Sequence, residues 1–143
     1  MTEARIGHGT LLQRGDSAAP PNYTTVAEVM DITPPQAEAD DIEATHMESP
    51  GRRKEYIQGL IDGGEATFQL NWIPDNPTHD HITGLKALQR SGETVPWRLR
   101  LPDDVLIWNF PAYVKSFNPE IPVGDKMTAS VTLKVTGDET FGL

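Results

Sequence analysis

The stretch Lys126-Met-Thr-Ala-Ser-Val-Thr-Leu-Lys-Val-Thr136 alternates without interruption. Met127, Ala129, Val131, Leu133 and Val135 share one parity, while Lys126, Thr128, Ser130, Thr132, Lys134 and Thr136 share the other. An extended backbone sends successive side chains to opposite faces, so this spacing predicts an antiparallel strand with one face in a core and one against water or a partner. The same reading applies from Glu65 to Asn71. There Ala66, Phe68 and Leu70, followed by Trp72, oppose Glu65, Thr67, Gln69 and Asn71. A third case sets Trp97, Leu99 and Leu101 against Arg98 and Arg100.

Outward from these strands the signals change. Val105 to Val114 is apolar on both parities, with Leu106, Trp108 and Phe110 on one and Val105, Ile107 and Tyr113 on the other. Such a strand is expected to be covered on both sides, and Pro111 predicts a bend or bulge where its missing N–H interrupts the ladder. Tyr23 to Ile32 reads as β-rich with a break near Ala27 and Glu28. One helix is expected from about His79 to Arg90, with Thr78 as N-cap, an apolar stripe of Ile82, Leu85 and Leu88, and Gly92 ending it in a left-handed conformation. Between the strands lies a long loop, about residues 33–62. The fold class is therefore α+β and mainly β: a single domain over residues 1–143, an antiparallel β-sandwich or split barrel with one flanking helix and a long central loop.

That loop opens on Pro34-Pro35, turns acidic at Glu38, Asp40, Asp41 and Glu43, and turns basic at Arg52-Arg53-Lys54. It ends with Tyr56, Ile57 and Leu60, which could make one amphipathic turn. Connections this long in a small domain are uncommon and usually functional or disordered. Apolar anchors beside segregated charge suit a docking arm that stays mobile until it meets a partner surface. The alternative is a surface excursion folded back on its own domain.

Composition closes off several functions. The chain has 143 residues, no cysteine, twelve glycines and twelve prolines, and a net charge of −9 from 21 acids and 12 bases. Disulfides, thiolate metal sites and cysteine nucleophiles are excluded. The acidic balance repels phosphate and argues against a nucleic-acid-binding module. The N-terminal residues lack the apolar core of a signal peptide, and no apolar run approaches the roughly 18 residues needed to span a bilayer. The expectation is a protein made in a cytoplasm and soluble there until it assembles.

Chemistry is hard to find. His79-Asp80-His81 resembles a metal cluster, but on a helix residues two apart point about 200° apart and cannot share an ion. No GxSxG elbow, P-loop, GxGxxG or HExxH occurs, and no carboxylate pair is singled out for acid–base work. Arg14-Gly15-Asp16 and Asn22-Tyr23-Thr24 match short extracellular motifs by chance. No catalytic residue, cofactor or metal is expected.

The stretch Asp41 to Pro74, DIEATHMESPGRRKEYIQGLIDGGEATFQLNWIP, resembles the tail tube proteins of lambda-like siphophages and gene transfer agents. The residues that carry the resemblance are Thr45, Ser49, Gly51, Arg53, Tyr56, Ile57, Gly59, Leu60, Asp62, Gly64, Glu65, Asn71 and Pro74. The helix and the strand at 126–136 follow in the family's order. The resemblance implies a structural virion protein, assembled in a host bacterial cytoplasm, that forms homo-oligomeric six-membered rings stacked into a tail tube. Tape measure, terminator and tail tip proteins would be its other partners, and DNA would pass through the lumen without specific binding. No membrane partner is expected.

On that reading Asp40, Asp41, Glu43, Arg52, Arg53, Lys54, Tyr56, Ile57 and Leu60 are candidate subunit or ring contacts. Glu65, Thr67, Gln69 and Asn71 are candidate lumen residues. With Leu143 closely following the last strand, no additional C-terminal immunoglobulin-like domain is expected. The alternatives are a tail terminator or head–tail completion protein of the same fold, and a carbohydrate-binding or adhesin β-sandwich.

Overall fold

The computed structural model describes residues 2–16 and 20–142, so Leu143 lies outside it. The main sheet contains Leu11–Gly15 (β1), Tyr23–Thr25 (β2), Val29–Thr33 (β3), Glu65–Asn71 (β6), Val95–Arg100 (β7), Ile107–Glu120 (β8) and Thr128–Val135 (β9). Thr140–Gly142 (β10) pairs with the first part of β8. Glu38–Glu43 (β4) and Tyr56–Asp62 (β5) form a separate two-stranded sheet, and Leu85–Ser91 is the α-helix (α1).

The spatial order is β2-β1-β7-β8-β9-β6-β3, antiparallel throughout. β2 and β3 stand at opposite edges, yet only Val26, Ala27 and Glu28 separate them in the chain. Three extended residues span about 10 Å, whereas the edges of a flat seven-stranded sheet lie nearly three times as far apart. The sheet must therefore curl until its edges almost meet, which makes the split barrel. The short linker is held to both edges: the Val26 N–H donates to the Leu12 carbonyl at 2.9 Å, and the Asn71 N–H donates to the Glu28 carbonyl at 3.0 Å.

The interior is the apolar parity of the strands. Leu70 and Val131 are 0% exposed, and Phe68, Trp97, Leu99, Phe110 and Leu133 join them in one cluster. The buried Trp97 places its indole N–H on the Ala112 carbonyl at 3.2 Å, so its one polar group is satisfied.

The bulge expected at Pro111 lies instead between Val114 and Ser116. Pro111 faces Pro96 across β7 and β8, a pair from which neither N–H is missed. Its other side is where β8 changes partner from β9 to β10, so its missing donor falls in the gap between two ladders. The real bulge shifts the phase of β8: Phe110, Ala112 and Val114 are buried before it, and Phe117 after it.

The helix is shorter than expected. Residues 79–84 form a loop, and α1 begins at Leu85 after Gly84 rather than after Thr78. Two local contacts explain this. The Asp80 carboxylate accepts the N–H groups of Ile82, Thr83 and Gly84 at 3.2, 2.8 and 2.9 Å, a side-chain alternative to the first helical turn. Those N–H donors hold the Asp80 carboxyl below its ordinary value, the Thr83 bond contributing most.

His79 is fully buried, with Nδ1 accepting the Ile73 N–H at 3.1 Å and Nε2 donating to the Ala27 carbonyl at 2.7 Å. It ties the loop to the linker that closes the barrel. Leu85 and Leu88 face the core as expected, but Ile82 is exposed. Gly92 ends the helix with a left-handed φ of 69°.

Candidate assembly and channel surfaces

The segment 33–62 is not a loop. Residues 38–62 form a hairpin arm, β4 paired with β5, with a folded tip between them. No residue from 38 to 62 is buried. The trio Tyr56, Ile57 and Leu60 lies on a strand instead of an amphipathic turn, and the pleat divides it. Ile57 stands opposite Ile42 on one face, beside the pair Ala39 and Ile61. Tyr56 and Leu60 share the other face with Glu43, Asp41 and Gln58. Gly59 lies where the strands approach closely, and a Cβ there would press on Asp40 and the end of Ile42.

The tip is built from its own polar groups. Glu55 accepts the Ser49 hydroxyl at 2.7 Å and lies 3.2 Å from the His46 ring, while its N–H donates to the Thr45 hydroxyl at 2.9 Å. Gly51 and Arg52 take left-handed φ values of 64° and 55°, turning the chain so that Arg52, Arg53 and Lys54 project into solvent. Asp40, Asp41 and Glu43 are exposed on β4. All nine residues expected at subunit contacts therefore sit on one projecting element.

The arm joins the barrel at Gly63-Gly64. Gly64 has φ 74°, and a side chain there would collide with the Gln36 backbone. Next to it, the Asp62 carboxylate takes the Gly64 N–H at 2.9 Å and the Lys134 ammonium at 3.2 Å, and these partners lower its pKa, the backbone bond most. Glu65 pairs with Lys115, which lowers the carboxyl and raises the lysine.

The four residues expected at a lumen lie on the outer face of β6, and register joins them to the neighbouring strands. Thr33, Thr67, Thr132 and Ser116 form one row, and Gln69, Ser130 and Asn118 form the next. Glu65, Lys134 and Tyr113 close the face at the arm end, and Asn71, Thr128 and Glu120 close it at the other. Asn71 turns aside, its amide 3.4 Å from Glu28. The centre of this wall is hydroxyl and amide, and the two lysines at its arm end are each matched by a carboxylate. Ser116 and Asn118 were missed from sequence because the β8 bulge reverses the parity that Pro111 to Val114 would suggest.

A sugar-binding surface would need exposed aromatic clusters. Trp97 is buried, while Trp72 and Trp108 are half-buried and packed on the core. The indole N–H of Trp108 is already bonded to Glu139 at 2.7 Å.

Comparison with known proteins agrees with this geometry. Structural protein 3 of Pseudomonas phage PAJU2 is 28% identical, with 69% of this chain and 70% of that protein covered. The tail of an empty gene transfer agent particle, refined with C6 symmetry, superposes with a TM-score of 0.79 at 17% identity, covering 98% of this chain and 100% of that one. A sheath/tube terminator structure of an extracellular contractile injection system matches with a TM-score of 0.71 at 16% identity over 100% of both chains. The family model described as the lambda phage tail tube protein matches residues 6–142. The chain thus belongs to the lambda phage tail tube protein family, and it is a structural component of a virion tail and not an enzyme.

Proposed function

We propose that this protein builds six-membered rings that stack into a tube through which DNA leaves the virion. The observation that carries the reading is the arm, which folds as a hairpin yet buries none of residues 38–62 against its own chain. An isolated two-stranded hairpin is marginally stable in water, so an arm of this kind gains from a neighbour. Asp40, Asp41, Glu43, Arg52, Arg53, Lys54, Tyr56, Ile57 and Leu60 supply its contacts.

The C6 symmetry of the gene transfer agent tail supports the ring. The free edge of β3 gives the sheet a place to continue into the next subunit. The wall around Thr67 and Gln69, with Glu65 and Asn71 at its ends, suits a conduit. Each unpaired lysine on such a wall would add a salt-dependent phosphate contact, and hydroxyls and amides add none. Tape measure, terminator and tail tip proteins are the expected neighbours along the tail.

Negative-stain microscopy of the purified protein tests this reading. Stacked rings or tubes are expected, and a protein that stays monomeric under every assembly condition would contradict it. Single rings that never stack would favour the terminator reading, which shares the fold of the injection-system match. Soluble protein should not retard DNA at physiological salt, and tight salt-sensitive binding would count against a passive wall.

A further inference from the structure

The arm has a counterpart at the other end of the barrel. β6 and β9 run side by side from the Glu65↔Lys134 pair to the Asn71↔Thr128 pair. The arm leaves this sheet at the first end, through Gly63-Gly64. The connection between β8 and β9, residues 121–127, leaves it at the second, beyond the Glu120↔Thr128 pair. The two segments are thus at opposite poles, separated by the length of a seven-residue strand, about 20 Å.

Both poles expose apolar side chains that no described residue covers. Nine of the fourteen large hydrophobic side chains that stand exposed among the described residues belong to these two segments. Scattered single apolar residues on a surface need no explanation, but clustered ones mark contacts. Ile121 is 69% exposed and Val123 is 108% exposed, on a turn stiffened by Pro122.

The charges are complementary too. Arg52, Arg53 and Lys54 at the arm tip have no carboxylate partner among the described residues, whereas Glu120 just before the turn and Asp125 within it have no cationic one among them. A surface at one pole that fits a different surface at the other makes a head-to-tail contact, which repeats along an axis when its rotation does not close into a ring.

We infer that the 121–127 turn is the receptor for the arm of a second copy in the adjacent ring. Ile121 and Val123 pack on the Ile42 and Ile57 face near the arm's outer end, and the basic tip reaches Glu120 and Asp125. This rests on the ring-stacking reading above and assigns its axial contact to particular residues.

The natural absence of cysteine makes a clean test. A double variant, Ile57→Cys with Val123→Cys, is assembled and mildly oxidised beside each single variant. The double variant should give a ladder of disulfide-linked multimers, and the single variants should remain unlinked. Tubes of the double variant that yield no ladder would overturn the inference, as would linking by either single variant to the same extent.

A second variant, Ile121→Asp with Val123→Asp, guards against a cysteine pair that does not assemble. Its thermal midpoint should match the parent's, because these side chains face solvent, and its assembly should need at least about tenfold more protein. Assembly at the parental concentration would refute the pairing. If that variant polymerises normally while loss of the arm stops polymerisation, the arm reading stands and this assignment of its receptor falls.

Discussion

β9 and β5 are strands of similar length with opposite fates. β9 buries Ala129, Val131, Leu133 and Val135 beneath a curled sheet, while β5 buries nothing. β9 is hydrogen-bonded on both edges, to β8 and β6, and β5 on one, to β4, but a ladder of backbone bonds does not bury side chains. A second layer does. The barrel supplies one to β9, and Ile57 and Ile61 on β5 face outward with none. Stability therefore resides in the barrel and association in the arm, and the two can be altered separately.

The sharpest break of this contrast is the same substitution in both regions. Leu70→Asp or Val131→Asp places an unpaired charge in a closed core, at a cost of several kcal/mol, and should give insoluble or unfolded protein. Ile57→Asp should change stability by no more than about 0.5 kcal/mol, leave the thermal midpoint nearly unchanged and weaken tube formation. A folded Leu70→Asp protein would show that the register of β6 is wrong.

The junction comes next. Gly64→Ala forces a side chain into a left-handed conformation and against the Gln36 backbone, costing at least about 1 kcal/mol. Both the melting temperature and assembly should fall, because the junction belongs to both regions. Calorimetry showing no shift would mean the junction relaxes freely.

Smallest is the effect of pH. Asp62, Glu65 and Asp80 are held below their ordinary values of 3.8, 4.5 and 3.8 in the folded chain. Their stabilisation is complete above those values and is lost as pH falls through the lower folded-state ones. Lys115, raised from 10.5 by Glu65, contributes fully below that value and loses its part as pH rises past the raised one. The contribution of these four groups to the melting temperature should thus be level between these limits and decline outside them. Asp80→Asn should soften the acid limb, and an unchanged limb would contradict the role of Asp80 in the turn before α1.

Much of the barrel was legible because burial writes its period into the sequence. β6, β7 and β9 each carry an unbroken parity that a one-residue slip would destroy. The arm carries no such mark. A strand with no buried face is under no pressure to alternate, so Glu38-Ala-Asp-Asp-Ile-Glu43 reads as a charged loop. The start of α1 was hidden for another reason: His79 and Asp80 look like helix-opening residues, but one serves the barrel closure and the other a turn. β10, three residues long, was too short to announce itself. The nine expected contact residues did fall on one element, since charge and apolar anchors in a polar segment are visible without knowing its secondary structure.

Replacing residues 38–61 with a short Gly/Ser linker puts the division between barrel and arm to its most direct trial. Thermal unfolding and negative-stain imaging are carried out on the same preparation. Long surface segments contribute little to closing a domain, so the variant should melt close to the parent and form no tubes. Tubes like the parent's would show that assembly lies on the sheets alone, and a collapsed melting transition would show that the arm is part of the fold.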